Sequence, residues 1–133
     1  MLVRRLSDAA VTDFHRLSSH ILMDAGELGS RHMTVTWVEV PSGASQELHS
    51  HEEAEQVYVV VRGTGMLSAA GDTEQLGQGD LALIPPASDH RIANEGPETL
   101  ALVSVQSPAV SVEESYGRQT AAVAGYDEDD DRY

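Results

Sequence analysis

The fold is decided by GASQELHSHEEAEQVYVVVRG, which spans Gly43–Gly63, and by GDLALIPPASDHRIAN, which spans Gly79–Asn94. His49 and His51 are two positions apart, which is the period of a β-strand, so we expect both imidazoles to leave one face of an extended segment. His90 follows a Pro-Pro turn after a second apolar strand. Three imidazoles that converge inside a β-barrel would suit a divalent transition metal.

The composition of the chain restricts the kinds of site and partner that it can have. Its 133 residues fit one domain, and cysteine is absent, so nitrogen and oxygen atoms must supply any metal ligands. The formal net charge of −14 argues against nucleic acid or an anionic membrane as a partner. The sequence shows neither a membrane-spanning apolar run nor a signal peptide, and with the absence of cysteine this predicts a cytoplasmic protein.

Short β-branched segments separated by Gly and Pro turns predict an all-β domain. We expect one domain over residues 1–110, with its core in residues 32–106. Residues 111–133 would then form a C-terminal segment that ends in the acidic, solvated tail DEDDD. A short helix is predicted around Asp8–Leu17, in an N-terminal extension. The Val-rich strand over Gln56–Val61 is predicted to be buried on both faces.

The two motif-bearing segments resemble the paired motifs of the cupins, which are small jelly-roll β-barrels that hold one metal ion. The first family motif runs from a glycine through His-x-His and a glutamate to a second glycine. The second runs from a glycine through Pro-x-Gly and a histidine to an asparagine. The chain matches these motifs at Gly43, His49, His51, Gly63, Gly79, Pro85, His90 and Asn94. The resemblance implies an all-β cupin jelly-roll barrel or sandwich, with a short N-terminal extension and an acidic C-terminal tail.

Two positions depart from the family motifs. Gln56 stands where the family has its glutamate, counted back from Gly63, and Ala87 replaces the glycine of the second motif. Strand alternation points Glu55 to the opposite face from Gln56. Either Gln56 binds the metal weakly through its amide oxygen or lines the site, or a register change brings Glu55 inward.

The resemblance implies a metal site made of His49, His51 and His90, with zinc favoured and iron, manganese or nickel as alternatives. His32 begins the preceding strand, and its imidazole is a further candidate for the position that Gln56 fills poorly. Neutral ligands leave the full charge on the ion, which makes it a stronger Lewis acid. That property favours acid/base or enolate chemistry over oxygen chemistry.

An apolar pocket over the metal is predicted from the strand periodicity. Tyr58 and Val60 share a face with Gln56, and Trp37 lies on one face of its own strand. These side chains would bind an apolar or aromatic small molecule. In small cupins a partner subunit often covers the outer face of a sheet, so the Val-rich strands also predict a homodimer.

The phrases AEQVYVVVRGTG and GDLALIPPASDH are similar to short cupins of actinomycete secondary metabolism, among which are aromatic polyketide cyclases. This resemblance implies metal-dependent aldol ring closure and dehydration of a poly-β-ketone in antibiotic biosynthesis, with a polyketide synthase carrier protein as a candidate partner. Three alternatives stay open. They are a dioxygenase of the quercetinase type with Glu55 as a ligand, a non-catalytic small-molecule-binding cupin, and a sugar or keto-acid isomerase. The isomerase would need several polar residues in the pocket.

Overall fold

The structure is a computed structural model, and it describes residues 1–113 of the chain. The acidic tail lies outside these residues. Within them, no helix is long and apolar enough to cross a membrane. Two 3-10 turns cover Leu6–Asp8 and Glu27–Gly29. The strands are β1 (Ala10–Phe14), β2 (Leu17–Met23), β3 (Thr34–Val40), β4 (Glu55–Arg62), β5 (Gly65–Ala69), β6 (Asp72–Leu76), β7 (Leu81–Ile84), β8 (His90–Ala93) and β9 (Leu100–Ser107).

These strands form two antiparallel sheets. The larger has the order β1-β2-β3-β9-β4-β7, and the smaller has the order β6-β5-β8. The segment after β3 extends the smaller sheet, because Ser45 pairs with Ala93 and His49 pairs with His90. The predicted all-β class is confirmed. The most deeply buried aliphatic side chains of the core are Val40, Val60, Ile84, Ile92, Leu100 and Leu102.

The N-terminal extension is a β-hairpin at the edge of the larger sheet, and the predicted helix over Asp8–Leu17 is wrong. Phe14 pairs with Leu17, so His15 and Arg16 make a two-residue turn, with φ angles of 53° and 73°. Such a turn needs positive φ at both positions, which Gly and Asn adopt most readily. Neither residue type is present here, so the sequence carries no signal of this hairpin.

The register of the larger sheet divides its inner face into polar and apolar rows. Cross-strand neighbours on β3, β9 and β4 form three successive rows, which are Thr34-Gln106-Gln56, Thr36-Ser104-Tyr58 and Val38-Leu102-Val60. Side chains on opposite residues of neighbouring strands lie side by side on one face. Two adjacent rows are therefore polar, and the third joins the apolar core.

The outer face of the same sheet is apolar over four strands. Its rows are Val35-Val105-Val57-Leu83 and Trp37-Val103-Val59-Leu81. The prediction that β4 is buried on both faces is wrong for the single chain, because Val57 and Val59 are only half-buried and Val61 is 37% exposed. Trp37 belongs to this outer face, so its predicted place in the substrate pocket is also wrong.

Candidate metal centre and adjoining cavity

His49 and His90 lie opposite each other in an isolated antiparallel bridge. The His49 backbone N–H donates to the His90 carbonyl at 3.1 Å, and the His90 N–H donates to the His49 carbonyl at 2.8 Å. His51 follows two residues later, and its carbonyl accepts the Ala87 N–H at 2.6 Å. The ring centroids are 4.2 Å apart for His49 and His90, 5.3 Å for His49 and His51, and 5.6 Å for His51 and His90.

Backbone carbonyls hold two of the three rings in one tautomer. His49 Nδ1 lies 2.8 Å from the Glu47 carbonyl oxygen, and His90 Nδ1 lies 2.9 Å from that of Ser88. Because a carbonyl can only accept, each Nδ1 carries the proton and each Nε2 keeps its lone pair. His90 Nε2 is buried and has no hydrogen-bond partner among the described residues.

Burial keeps these imidazoles uncharged. Burial lowers the pKa of His49 from 6.5 to about 3, and the neighbouring His90 and His51 lower it too, against the opposing hydrogen bond to Glu47. Burial also lowers the pKa of His90, against the hydrogen bond to Ser88. Metal ligation requires neutral imidazole, so both rings are in the ligating state at neutral pH.

The three histidines fit a divalent transition metal. Their ligand atoms all lie within 4.8 Å of one another, and all three residues are buried. An unpaired lone pair inside a protein is costly, and a metal ion would satisfy the one on His90 Nε2. The structure thus brings together the three histidines that the motifs predict. In the described part of the chain, this group of potential ligands includes no carboxylate.

The other two candidate ligands lie elsewhere. His32 is exposed, because the chain bends before β3 begins at Thr34, and it is not part of the histidine cluster. Glu55 is exposed on the opposite face from Gln56, which is 4% exposed. The predictions that His32 or an inward Glu55 completes the ligand set are therefore wrong, whereas the predicted alternation of Glu55 and Gln56 is confirmed.

A cavity of about 40 Å³ lies beside His49, and side chains with amide or hydroxyl groups outnumber the aliphatic ones in its lining, whereas an apolar pocket was predicted. Val60 belongs to the apolar core, while Tyr58 does line the cavity. Three valines, Val38, Val110 and Val112, are its aliphatic residues. Its amide side chains are Gln46, Gln56 and Gln106. Its hydroxyl side chains are Ser19, Thr34, Thr36, Tyr58 and Ser104.

Three hydrogen bonds orient the polar groups of this cavity. Gln46 Oε1 accepts both the Tyr58 hydroxyl and the Ile92 N–H, each at 3.1 Å. Gln56 Nε2 donates to Ser104 Oγ at 2.8 Å. Sequence reasoning missed Gln46, Ser104 and Gln106. The available signal was the alternation of Ser104 and Gln106 on the otherwise apolar strand LALVSVQS.

The segment that follows β9 lines both the cavity and a second recess. Thr34 Oγ1 donates to the Val110 carbonyl at 2.8 Å, and the Val110 N–H donates back to Thr34 Oγ1 at 3.2 Å. The Val112 N–H donates to Asp24 Oδ1 at 3.0 Å. Val110 also lines the second recess, of about 230 Å³, which His51 borders. The histidine cluster therefore lies between the inner cavity and the surface.

Two further motif residues have structural roles. Asn94 Nδ2 donates to the carbonyls of Val40 at 2.8 Å and Glu98 at 2.7 Å, which ties the loop after β8 to the end of β3. Ala87 has a φ angle of 63° and so adopts the left-handed conformation that the motif's glycine favours. The replacement therefore leaves the turn before His90 in place.

Comparison with known proteins assigns the family. A family model of the cupin domain matches residues 36–106, which is more than half of the chain. The chain is a cupin. Its fold is similar to that of a predicted oxalate decarboxylase from Thermotoga maritima, with a TM-score of 0.74 and 20% sequence identity over 80% of this chain and 99% of that one. The predicted jelly-roll fold is confirmed.

Two sequence relatives match this cupin over part of their length. An uncharacterized protein of Methanocaldococcus jannaschii is 30% identical over 76 residues, which cover 57% of this chain and 61% of the relative. The alginate biosynthesis protein AlgA of Pseudomonas aeruginosa is 31% identical over 102 residues, which cover 71% of this chain and 21% of AlgA. The chain therefore spans about three-fifths of the first relative and a fifth of the second.

Proposed function

We propose that this cupin is a metal-dependent enzyme that enolises a small, oxygen-rich carbonyl compound, as an isomerase or lyase does. The observation that carries the proposal is the cavity beside His49 with its amide and hydroxyl side chains, which adjoins three buried imidazoles. His49, His51 and His90 would hold a divalent metal ion, with zinc favoured. When bound, the ion supplies a Lewis acid that polarises a carbonyl oxygen.

The residues of the cavity would bind and orient the substrate. Hydroxyl and amide groups can replace the water that surrounds an oxygen-rich molecule, which an aliphatic lining cannot do. Tyr58 is the phenol of this lining, and its hydroxyl is held by Gln46. We assign Tyr58 to proton transfer at a substrate oxygen, in which its O–H turns from Gln46 Oε1 to that oxygen, because a phenol hydroxyl can both donate and accept.

The cavity favours this substrate class over a poly-β-ketone. Polyketide ring closure also proceeds through an enolate, but it needs space for a long chain against an apolar wall. A volume of about 40 Å³ is far below the several hundred Å³ of typical ligand pockets. The oxygenase hypothesis relied on an inward Glu55, which is exposed. The name of AlgA, an alginate biosynthesis protein, also supports an oxygen-rich substrate.

Deuterium exchange provides the test of enolisation. Zinc-loaded protein is incubated with hydroxyacetone in D₂O, and loss of the proton signals next to the carbonyl is followed by NMR. We expect exchange above the rate in metal-stripped protein. In Tyr58→Phe the exchange rate should fall at least about tenfold, because a positioned proton-transfer group contributes that much or more.

The same Tyr58→Phe protein serves as its own control for the metal site. Its zinc affinity should equal that of the wild type, since Tyr58 is not one of the three ligands. Equal exchange rates with and without zinc would contradict the proposed chemistry. Equal rates in the wild type and in Tyr58→Phe would remove Tyr58 from it.

We also infer a homodimer from the outer face of the larger sheet. Leu81 and Leu83 are 61% and 55% exposed and pair with Val59 and Val57 on this face. A second copy would bury the same apolar rows, as a two-fold interface requires. Light scattering should give the dimer mass for the wild type and a lower mass for Leu83→Glu. A monomeric wild type at micromolar concentration would contradict this inference.

A further inference from the structure

The segment that carries His49 contains one residue more than the strand that it faces. Ser45 pairs with Ala93, and His49 pairs with His90. Between these two pairs the segment advances by four residues, whereas β8 advances by three. One extra residue on one strand of an antiparallel pair is a β-bulge, which bends the strand and changes the direction of its side chains. This bulge lies directly before His49.

The bulge decides which side chains face the cavity. Gln46 and His49 are three positions apart, so regular alternation would place them on opposite faces of the segment. Both residues nevertheless line the cavity, while Leu48 is 45% exposed. The extra residue therefore brings His49 to the same side as Gln46.

Gln46 completes the pairing at the bulge with its side chain. Its backbone N–H donates to the Ile92 carbonyl at 2.9 Å. In a regular antiparallel pair the Ile92 N–H would donate back to the backbone carbonyl of Gln46. It donates instead to Gln46 Oε1, at 3.1 Å. Because Ile92 is 0% exposed, its N–H needs an acceptor within the protein, and the side-chain amide supplies it.

We propose that Gln46 is a positioning residue of the metal centre, whose side-chain oxygen stabilises the bulge and so holds His49 opposite His90. Regular pairing continued from Ser45 would place Leu48 opposite His90. A shift of one residue turns each side chain to the other face, so His49 would leave the histidine cluster. This inference rests on the proposed function, because it takes the three histidines as the metal site.

NMR can detect the hydrogen bond that carries the inference. In ¹³C,¹⁵N-labelled protein with zinc present, we expect a coupling across the hydrogen bond from the Ile92 backbone nitrogen to the side-chain carbonyl carbon of Gln46. In Gln46→Glu the coupling should persist, because the carboxylate offers an acceptor at the same reach. A coupling from Ile92 to a backbone carbonyl instead, or to no carbonyl, would overturn the inference.

Gln46→Met tests the effect on the metal site, because it removes the oxygen and keeps a side chain of similar length. Zinc affinity, measured by calorimetry, should fall at least about tenfold, as it does when a group that supports a ligand is lost. The visible absorption spectrum of the cobalt-loaded protein should change as well, because it depends on the ligand geometry. Should Gln46→Met fail to fold, Gln46→Asn withdraws the oxygen by one methylene and should show the same losses.

Two control variants separate the bulge from the other contacts of glutamine side chains. Tyr58→Phe removes the hydroxyl that also donates to Gln46 Oε1, but it leaves the bond from Ile92 in place. Gln75→Met makes the same replacement at an exposed position of β6. Both variants should keep the zinc affinity and the cobalt spectrum of the wild type. A loss in Tyr58→Phe as large as that in Gln46→Met would overturn the inference.

The failure of this inference differs from the failure of the proposed function. Equal zinc affinity in the wild type and in Gln46→Met would overturn the inference alone. Absence of zinc binding in the wild type would overturn both. Normal zinc binding without zinc-dependent deuterium exchange would overturn the proposed enolisation, and the zinc affinities would still decide the role of Gln46.

Discussion

Zinc affinity is expected to fall by at least about a hundredfold when His90 is replaced by alanine. The three imidazoles form one group with ligand atoms within 4.8 Å, and His90 Nε2 carries a lone pair with no hydrogen-bond partner among residues 1–113. Removing a residue that only hydrogen-bonds to a metal ligand lowers metal affinity by about 10- to 100-fold. Removing a ligand itself should therefore lower the affinity by at least about 100-fold. Calorimetric titration in the presence of a competing chelator measures the change.

His32→Ala is the matched control for this substitution. His32 is exposed and separate from the cluster, so its removal should leave zinc affinity unchanged. Zinc should also raise the melting temperature of the wild type and of His32→Ala, because a ligand that binds only the folded state stabilises it. The rise should be absent in His90→Ala. Equal zinc affinity in His90→Ala and the wild type would show that the metal is held elsewhere.

The second large effect is a loss of stability of the metal-free protein in mild acid. His49 has a folded-state pKa of about 3, against 6.5 for the same group when exposed in the unfolded chain. Below pH 6.5 the unfolded chain therefore takes up a proton that the folded protein does not, and the free energy of unfolding falls as the pH falls. The fall should be about 1.4 kcal/mol per pH unit from His49, with His90 acting in the same direction.

Urea unfolding between pH 7.5 and pH 5 measures this dependence, in a range where most exposed carboxylates remain charged. In His49→Leu the free energy of unfolding should depend less steeply on pH, by the equivalent of about one proton, because the titrating imidazole is gone. This difference does not depend on the absolute stability of the variant. A free energy of unfolding that stays constant from pH 7.5 to pH 5 in the wild type would contradict the burial of neutral His49.

Much of the metal centre could be predicted because its geometry is local. His49 and His51 share a face through the two-residue period of extended chain, and the same period separates Glu55 from Gln56. His90 could be assigned to the same site because the resemblance to the cupins implies that the two motif segments together hold one metal ion. By contrast, the hairpin turn at His15 and Arg16 has no Gly or Asn to mark it, so propensity favoured a helix where the chain forms two strands.

The lining of the cavity could not be predicted in the same way. Periodicity placed Trp37 on one face of β3, but nothing local says which face of a strand points inward. That choice depends on the pairing of β3 with β9, which is about 70 residues away in the chain. The same pairing, with β4 on the other side of β9, brings Gln106 beside Gln56. An apolar pocket was predicted because Trp37 was assigned to the wrong side of the sheet.

The sequence by itself therefore determined the all-β class and the shared face of His49 and His51 through short-range spacing, and the cupin family and His90 through the resemblance of its two motifs. Only the tertiary structure decided what surrounds them. It placed Glu55 and His32 outside the ligand set and put two polar rows beside His49. The physical reason is that a residue's neighbours across a sheet are set by long-range register, whereas its neighbours along a strand are set by backbone geometry.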